Sequence, residues 1–535
     1  MTIHRLWTEA ARRHADLPFV GWVDDTPWTF REVDMRVKCL KERFRRQGLA
    51  AGDRVALWSS NQPGWGVVYL AVTTAPLVVV PILPEFSPTD AANVLIHGGV
   101  KVLVVSKSLL EVWSKWFSEA PEPVRVALQA LVVLVLEDVV EPQERVGSAD
   151  LWAPSSDADL AALIYTSGTT GSPKGVMLTH GNLTSNVVSA APIVGFVPGD
   201  RMLSVLPLAH TYECTLGFLI PAQEGIHIGY LSKPPSAAVL MPALASFRPH
   251  AMLTVPLFME KIYKQKVAPV LHGGVGKVLA RMPVVGALIH HLIGGKLRRT
   301  FGGRLKFFGI GGAALAPEVA HFLHKARFPY AIGYGLTETS PLVAGHLKGA
   351  LYSTGRILNG VQVKIGEPKN EQGAGEILVK GPNVMAGYYQ DPARTSEVFT
   401  PDGWFKTGDL GRFDRRGQLY IKGRTKNLIL GPSGENIYPE AIEALLNQDR
   451  LVVESLVLQR GPEIIAKVVL NYELLAEQFK EWEADTAHHV EAYLGGLKAH
   501  INQQLARFSR LSFVEVQPEP FEKTATLKIK RYLYG

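Results

Sequence analysis

Apolar positions along the chain fall into two alternating kinds of run. After Pro27, residues Phe30, Val33, Val37, Leu40 and Phe44 recur at helical spacing and Gly48 follows as a stop, which predicts an amphipathic helix. Arg54–Trp58 is short and continuous, which predicts a strand. Further runs follow at Trp65–Thr74, Leu77–Ile82, Pro88–His97, Val102–Val105, Leu109–Phe117 and Ala130–Leu136. Such alternation predicts parallel sheet covered by helices. Leu160–Ile164 and Val176–Leu178 read as strands on either side of a glycine-rich loop, and Phe307–Ile310 as another strand. From Lys426 a smaller unit begins: a Gly-rich turn, a helix started by Pro439, and strands at Leu451–Val457 and Ile464–Leu470. No repeat of 20 to 50 residues and no low-complexity tract interrupts the pattern.

Length and composition narrow the class. At 535 residues the chain exceeds one ordinary core, and 47% hydrophobic with 20% charged residues is the balance of a folded soluble protein. Only Cys39 and Cys214 occur, far apart, so neither a disulfide framework nor a zinc site is expected and a reducing cytoplasm is the default. The N-terminal stretch has charges through its middle and does not read as a secretory signal, and no run reaches the length of a membrane span. The net charge of +7 is local: Lys261–Lys306 holds ten Lys or Arg and no Asp or Glu, and taking those ten from 56 leaves 46 against 49 acidic residues. This stretch is also apolar, so it predicts either a solvated patch beside a core helix or a basic amphipathic surface for peripheral contact with an anionic membrane, on the inner face. No recognition module accompanies the charge, so nucleic acid is not expected as a partner.

The chemistry is densest at Tyr165–His180, YTSGTTGSPKGVMLTH. Gly168, Gly171 and Gly175 free the backbone to turn successive N–H groups into one concavity, Thr166, Ser167, Thr169, Thr170 and Ser172 add hydroxyls, and Lys174 adds a positive charge. That is a cradle for a phosphate. The nucleoside-triphosphatase loop needs Gly before its lysine and Ser or Thr after it; here Pro173 precedes Lys174 and Gly175 follows, which excludes that loop.

Over these sixteen residues the chain resembles the phosphate-binding signature of the adenylate-forming enzymes, the superfamily of acyl-CoA synthetases, luciferases and peptide-synthetase adenylation domains. The likeness extends to later segments and is greatest to long-chain fatty-acyl-CoA synthetases. Gly333–Pro341, GYGLTETSP, resembles the second signature. It implies that Tyr334 offers a face to adenine, that Gly335 and Thr337 sit beside the α-phosphate and channel, and that Glu338, with Thr166, holds Mg2+. GGAALAP after Ile310 resembles the segment skirting adenosine, which places Gly312 and Ala313 at the nucleotide. LPLAHTYE resembles a long-chain synthetase segment and puts His210 on the substrate channel. WFKTGDLG implies Asp409 at the ribose hydroxyls, and Arg424 lies where the superfamily sets an arginine against ribose and phosphate. Lys426 matches the hinge position. TATLKIKR resembles the terminal motif that carries the adenylating lysine, here Lys528, although Leu527 stands where many members have Gly.

The resemblance therefore implies an α/β protein with a large N-terminal domain, 1–425, of mixed and parallel sheets covered by helices. A small mobile α+β C-terminal domain, 426–535, completes it. Its implied activity uses ATP and Mg2+ to join a medium- or long-chain fatty acid to AMP and then to CoA. Two alternatives stay open at this level: transfer to an acyl carrier protein or other acceptor, and a membrane-associated acyl-nucleotide-binding protein without turnover.

Overall fold

The computed structural model describes residues 1–142, 152–166, 174–273, 278, 282–347, 350–368, 373–431, 435–478, 486–524 and 529–535. Two large sheets dominate it. The first runs in the order Gly387–Tyr388, Lys174–Thr179, Leu160–Thr166, Val78–Ile82, Arg54–Trp58, Val100–Val105 and Val132–Val135. Its second half is parallel; Val78–Ile82, Arg54–Trp58 and Val100–Val105 are near-continuous apolar runs buried on both faces, whereas Val132 and Val133 on the edge strand are exposed. At Leu160–Thr166 the chain doubles back in an antiparallel hairpin with Lys174–Thr179.

The second sheet has nine strands in the order Arg356–Ile357, Leu342–Leu347, Tyr330–Gly335, Phe307–Ile310, Ala251–Thr254, Arg201–Ser204, His227–Tyr230, Pro18–Trp22 and Trp28–Thr29. Between the sheets lies the helix Pro63–Thr74, all twelve of whose residues are buried. It shows no amphipathic period because every side faces protein. Trp65, Tyr69 and Phe218 pack there edge to face and stacked.

A four-stranded antiparallel sheet follows, Gln362–Ile365, Gly375–Lys380, Phe405–Phe413 and Leu419–Arg424. Beyond it, Ile429, Ile437, Ile442, Leu446, Val457, Val468, Leu497 and Leu511 form a core of their own around the three strands Val452–Arg460, Glu463–Leu470 and Phe513–Val516. Inside it Arg531 ion-pairs with Glu443 at 2.5 Å. No helix among the described residues is long and apolar enough to cross a membrane.

Candidate functional site

The hairpin places its charge by register. Thr166 is paired with Lys174 across the ladder, so the strand already begins at the lysine, two residues earlier than the apolar pattern predicts. Ser167, Gly168, Thr169, Thr170 and Gly171 lie outside the described residues. The short strand Gly387–Tyr388 pairs with the hairpin's second strand, Tyr388 opposite Val176. This sets the Lys174 ammonium 5.3 Å from the Tyr388 ring centroid. The Tyr388 hydroxyl in turn donates to Glu338 Oε1 at 3.0 Å. Burial pulls the Lys174 pKa below its ordinary value; Glu338 and Asp391 oppose that, while Arg394 and Lys426 are close enough to depress it further. Lys174, Arg394 and Lys426 thus converge with too few carboxylates to neutralise them, which suits a polyanionic ligand.

Glu338 sits in a tight 3-10 turn, Thr337–Thr339, that ends the strand Tyr330–Gly335. A Cβ on Gly335 would lie 1.8 Å from the Pro341 carbonyl oxygen, so only glycine fits. The Leu336 N–H donates to that same oxygen at 3.0 Å, and the side-chain amides of Asn186 and Asn383 donate to the carbonyl of Leu342 at 2.7 and 3.1 Å. Backbone groups of a turn buried this deeply need such partners, and having them fixes the direction in which Thr337 and Glu338 leave it.

Strand alternation sends Tyr334 to the other face. Its ring is only 8% exposed and packs with Val343, Ala344, Ile377, Val379 and Leu419. Its hydroxyl donates to Asp409 Oδ2 at 2.9 Å, and Arg424, cross-strand from Asp409, brings Nε to 3.1 Å from Oδ1. Burial, and then the Asp409 charge, push the Tyr334 pKa up, so it stays a donor. Asp409 is therefore aimed by a tyrosine and an arginine. Gly408, at φ +71°, makes the turn before it and donates its N–H to Glu376 Oε1 at 3.0 Å.

After Phe307–Ile310 the chain bends at Gly312, φ +89°, where a Cβ would meet nothing nearer than 3.9 Å; Ala313 beside it is exposed. The Tyr212 ring covers Gly311, whose Cβ position is 3.0 Å from it. His210 Nδ1 accepts from the Tyr212 N–H at 3.2 Å and so caps the turn that carries this ring.

Behind Tyr212 lies a narrow apolar cleft, with room for about 20 Å³, between the helix His180–Val194 and the second sheet. Ile193, Leu216, Phe307, Gly309, Gly333 and Gly345 line it. Gly333 and Gly345 are cross-strand neighbours, so the sheet's side of the hollow exists because side chains are missing there. A second hollow of about 200 Å³ beside Trp22, Trp28 and Glu137 holds none of the residues above.

Several groups escaped the sequence reading. Tyr388, Asp391 and Arg394 lie far along the chain from the glycine-rich loop; Asp391 accepts from the Arg394 N–H at 2.9 Å as a helix cap, a local Asp-Pro signal that was readable. Glu213 was hidden in an apolar run. It is fully buried, Ser204 donates to Oε1 at 2.6 Å, Oε2 has no hydrogen-bond partner among the described residues, and burial raises its pKa to about 8. Lys528 lies outside the described residues.

Comparison with known proteins adds a consistent set of likenesses. A family model described as AMP-binding enzyme matches residues 7–389. The chain is 28% identical over 602 residues to the peroxisomal long chain acyl-CoA synthetase 7 of Arabidopsis thaliana, covering 99% of this chain and 84% of that protein. It is 29% identical over 533 residues to the long-chain-fatty-acid–CoA ligase FadD15 of Mycobacterium bovis, covering 90% and 86%. Among solved structures, ATP-bound MatB from Rhodopseudomonas palustris superposes with a TM-score of 0.77 at 24% identity over 100% of this chain and 98% of that one, which is a likeness of fold.

Proposed function

The chain belongs to the AMP-binding enzyme family, and from that premise we propose that it joins a medium- or long-chain fatty acid to CoA at the expense of ATP. One observation carries the reading. The strand Tyr330–Gly335 lends Gly333 to the apolar cleft, lends Tyr334 to Asp409, and runs on into the turn of Glu338. A narrow apolar cleft, which an alkyl chain would have to open, and a polar array for a nucleotide thus meet along one strand. The relatives named as long-chain ligases support the choice of substrate.

A carboxylate is a poor acyl donor because its leaving group would be oxide. In the first step its oxygen forms a bond to the α-phosphorus of ATP while the bond to pyrophosphate breaks; in the second the CoA sulfur bonds to the acyl carbon, AMP leaves, and the thiol proton is released. Negative charge gathers on phosphate oxygens, so cations and N–H donors fixed beforehand are the useful groups. In this reading Lys174 and the Thr166–Gly171 loop hold the departing phosphates and Thr337 faces the α-phosphate. Asp409 and Arg424 take the ribose, Gly312, Ala313, Tyr334 and Gly335 bound the nucleotide, and His210 guards the channel. Lys528 would bridge carboxylate and nucleotide. Among the described residues no three His, Cys, Asp or Glu side chains gather into a metal site. A single carboxylate, Glu338, together with the Thr166 hydroxyl and phosphate oxygens, is the hard, sparse donor set that Mg2+ accepts. Bound there, the ion would offset phosphate charge.

We place a domain boundary at 425/426, with Lys426 as hinge; the separate core around Ile437 and Val457 supports it. Peripheral contact of 261–306 with an anionic membrane belongs to the same reading, since long-chain acids partition into bilayers. The test is exchange of labelled pyrophosphate into ATP with acids of increasing length, followed by AMP and thioester production with CoA. Exchange that needs a fatty acid is the expected result; no exchange with any acid overturns the proposal.

A further inference from the structure

Arg394 is far from Lys174 along the chain, yet the fold delivers both to one place. The strand Gly387–Tyr388 pairs with the strand that begins at Lys174, and the Tyr388 ring centroid lies 5.3 Å from the Lys174 ammonium. The turn that follows is tied back to this tyrosine. Thr395 Oγ1 accepts from the Tyr388 N–H at 2.9 Å and donates to the Asp391 carbonyl at 2.8 Å, while the Asp391 N–H donates to the Tyr388 carbonyl at 3.3 Å. At Gly387, φ +144°, a Cβ would come 2.8 Å from Thr395 Cγ2, so the turn packs directly on the strand. Arg394, one residue before Thr395, is thereby held beside Tyr388, close enough for its charge to act on both the Lys174 ammonium and the Tyr388 hydroxyl.

Its own partner is a weak one. Asp391 Oδ2 is 3.4 Å from Arg394 Nη1, and both side chains are partly exposed. An ion pair at that distance in contact with solvent holds little. The other carboxylate here, Glu338, is engaged by the Tyr388 hydroxyl. Three cations, Lys174, Arg394 and Lys426, therefore face two carboxylates that already have donors.

We propose that Arg394 is a second cation for the triphosphate: it leaves Asp391 when ATP arrives, takes β- and γ-phosphate oxygens beside Lys174, and stays with the pyrophosphate as it departs. The assignment deepens the ligase reading and rests on it. A guanidinium suits the task better than another ammonium, because its planar fork donates to two phosphate oxygens at once and it does not lose its proton. Lys174 is less secure, since burial works against its charge. As the acid's oxygen bonds to the α-phosphorus, the bridging oxygen leaves with the electron pair of the broken bond, and the new negative charge forms on the phosphates that these two cations hold. Asp391 gives the guanidinium a resting place between turnovers.

The test is calorimetry of the full chain with Mg2+, comparing ATP with AMP, which has neither β- nor γ-phosphate. R394A weakens ATP at least tenfold and AMP less than twofold, with the melting temperature of wild type. R394K falls between the two proteins, because an ammonium keeps the charge but not the fork. D391N, which still caps the helix, binds ATP no more weakly than wild type. In pyrophosphate exchange R394A also raises the KM for pyrophosphate at least tenfold. R394A that binds ATP like wild type overturns the assignment, and so does equal weakening of ATP and AMP, the result a damaged turn would give. D391N that loses ATP as R394A does removes the resting place. Wild type that binds no ATP sinks the ligase reading together with this one; wild type that binds ATP, with R394A unchanged, sinks the role of Arg394 alone.

Discussion

Replacing Glu213 with Gln should stabilise the protein at neutral and alkaline pH and change nothing in acid. The carboxyl is fully buried, and its only hydrogen bond among the described residues comes from Ser204. Its pKa rises from 4.5 to about 8 because burial penalises the charged form. The folded state therefore keeps a proton that the unfolded chain has already released. Stability is fully present below 4.5 and is lost as pH climbs toward 8, the reverse of a salt-bridged carboxylate. Each pH unit in that window removes about 1.4 kcal/mol, so the loss sums to about 5 kcal/mol at its alkaline end. Glutamine copies the neutral form: its oxygen accepts from Ser204, and its second polar atom is as unpartnered as Oε2 is now. Urea unfolding of both proteins from pH 4 to 9 measures the difference. It should start near zero and widen to several kcal/mol by pH 8 in favour of the variant. A difference that stays flat across this range would refute the argument.

Three further outcomes follow from the site. Gly345→Val pushes a branched side chain toward Leu342 and Ile193, which a Cβ already approaches to 3.3 and 3.7 Å; the acid-length profile should shift toward shorter chains by tenfold or more in kcat/KM, and an unshifted profile counts against the cleft as the acyl site. Tyr388→Phe removes a donor to a carboxylate, a bond worth about 1.5–3 kcal/mol, so pyrophosphate exchange should fall about 10- to 100-fold; exchange at the wild-type rate would show that Glu338 needs no such support. Lys528→Ala should abolish adenylate formation while thioester formation from supplied acyl-adenylate continues, and equal loss of both steps would remove the role proposed for that lysine.

What could be read beforehand was whatever is local in sequence. The parallel strands announced themselves as Val/Leu/Ile runs, and Pro88–His97 forms the helix its pattern predicts. The glycine-rich signatures were legible because turn chemistry is written in neighbouring residues. Groups delivered by long-range pairing were not. Tyr388 reaches Lys174 only because a two-residue strand closes the edge of the first sheet. Tyr334 suggested an open aromatic face, but the same alternation that aims Gly333 into the cleft buries its ring and leaves its hydroxyl on Asp409. Glu213 gave no signal, because an acid between a tyrosine and a cysteine looks in sequence like the edge of a loop. Only the fold shows how closely Gly217 packs on it: a Cβ there would come 2.7 Å from its carboxyl.

The strand wall behind Tyr212 is a hollow made by omission, and this gives its descendants an uneven choice. Single-base changes turn a glycine codon into alanine or valine, so Gly333 and Gly345 can each close the hollow by one ordinary mutation. Neither has anything left to give up. Widening has to come from across the gap, by trimming Ile193 or Leu216. With the acyl chain placed there, as proposed, drift on one wall would run only toward smaller acids, and any gain in size would have to be written into the other.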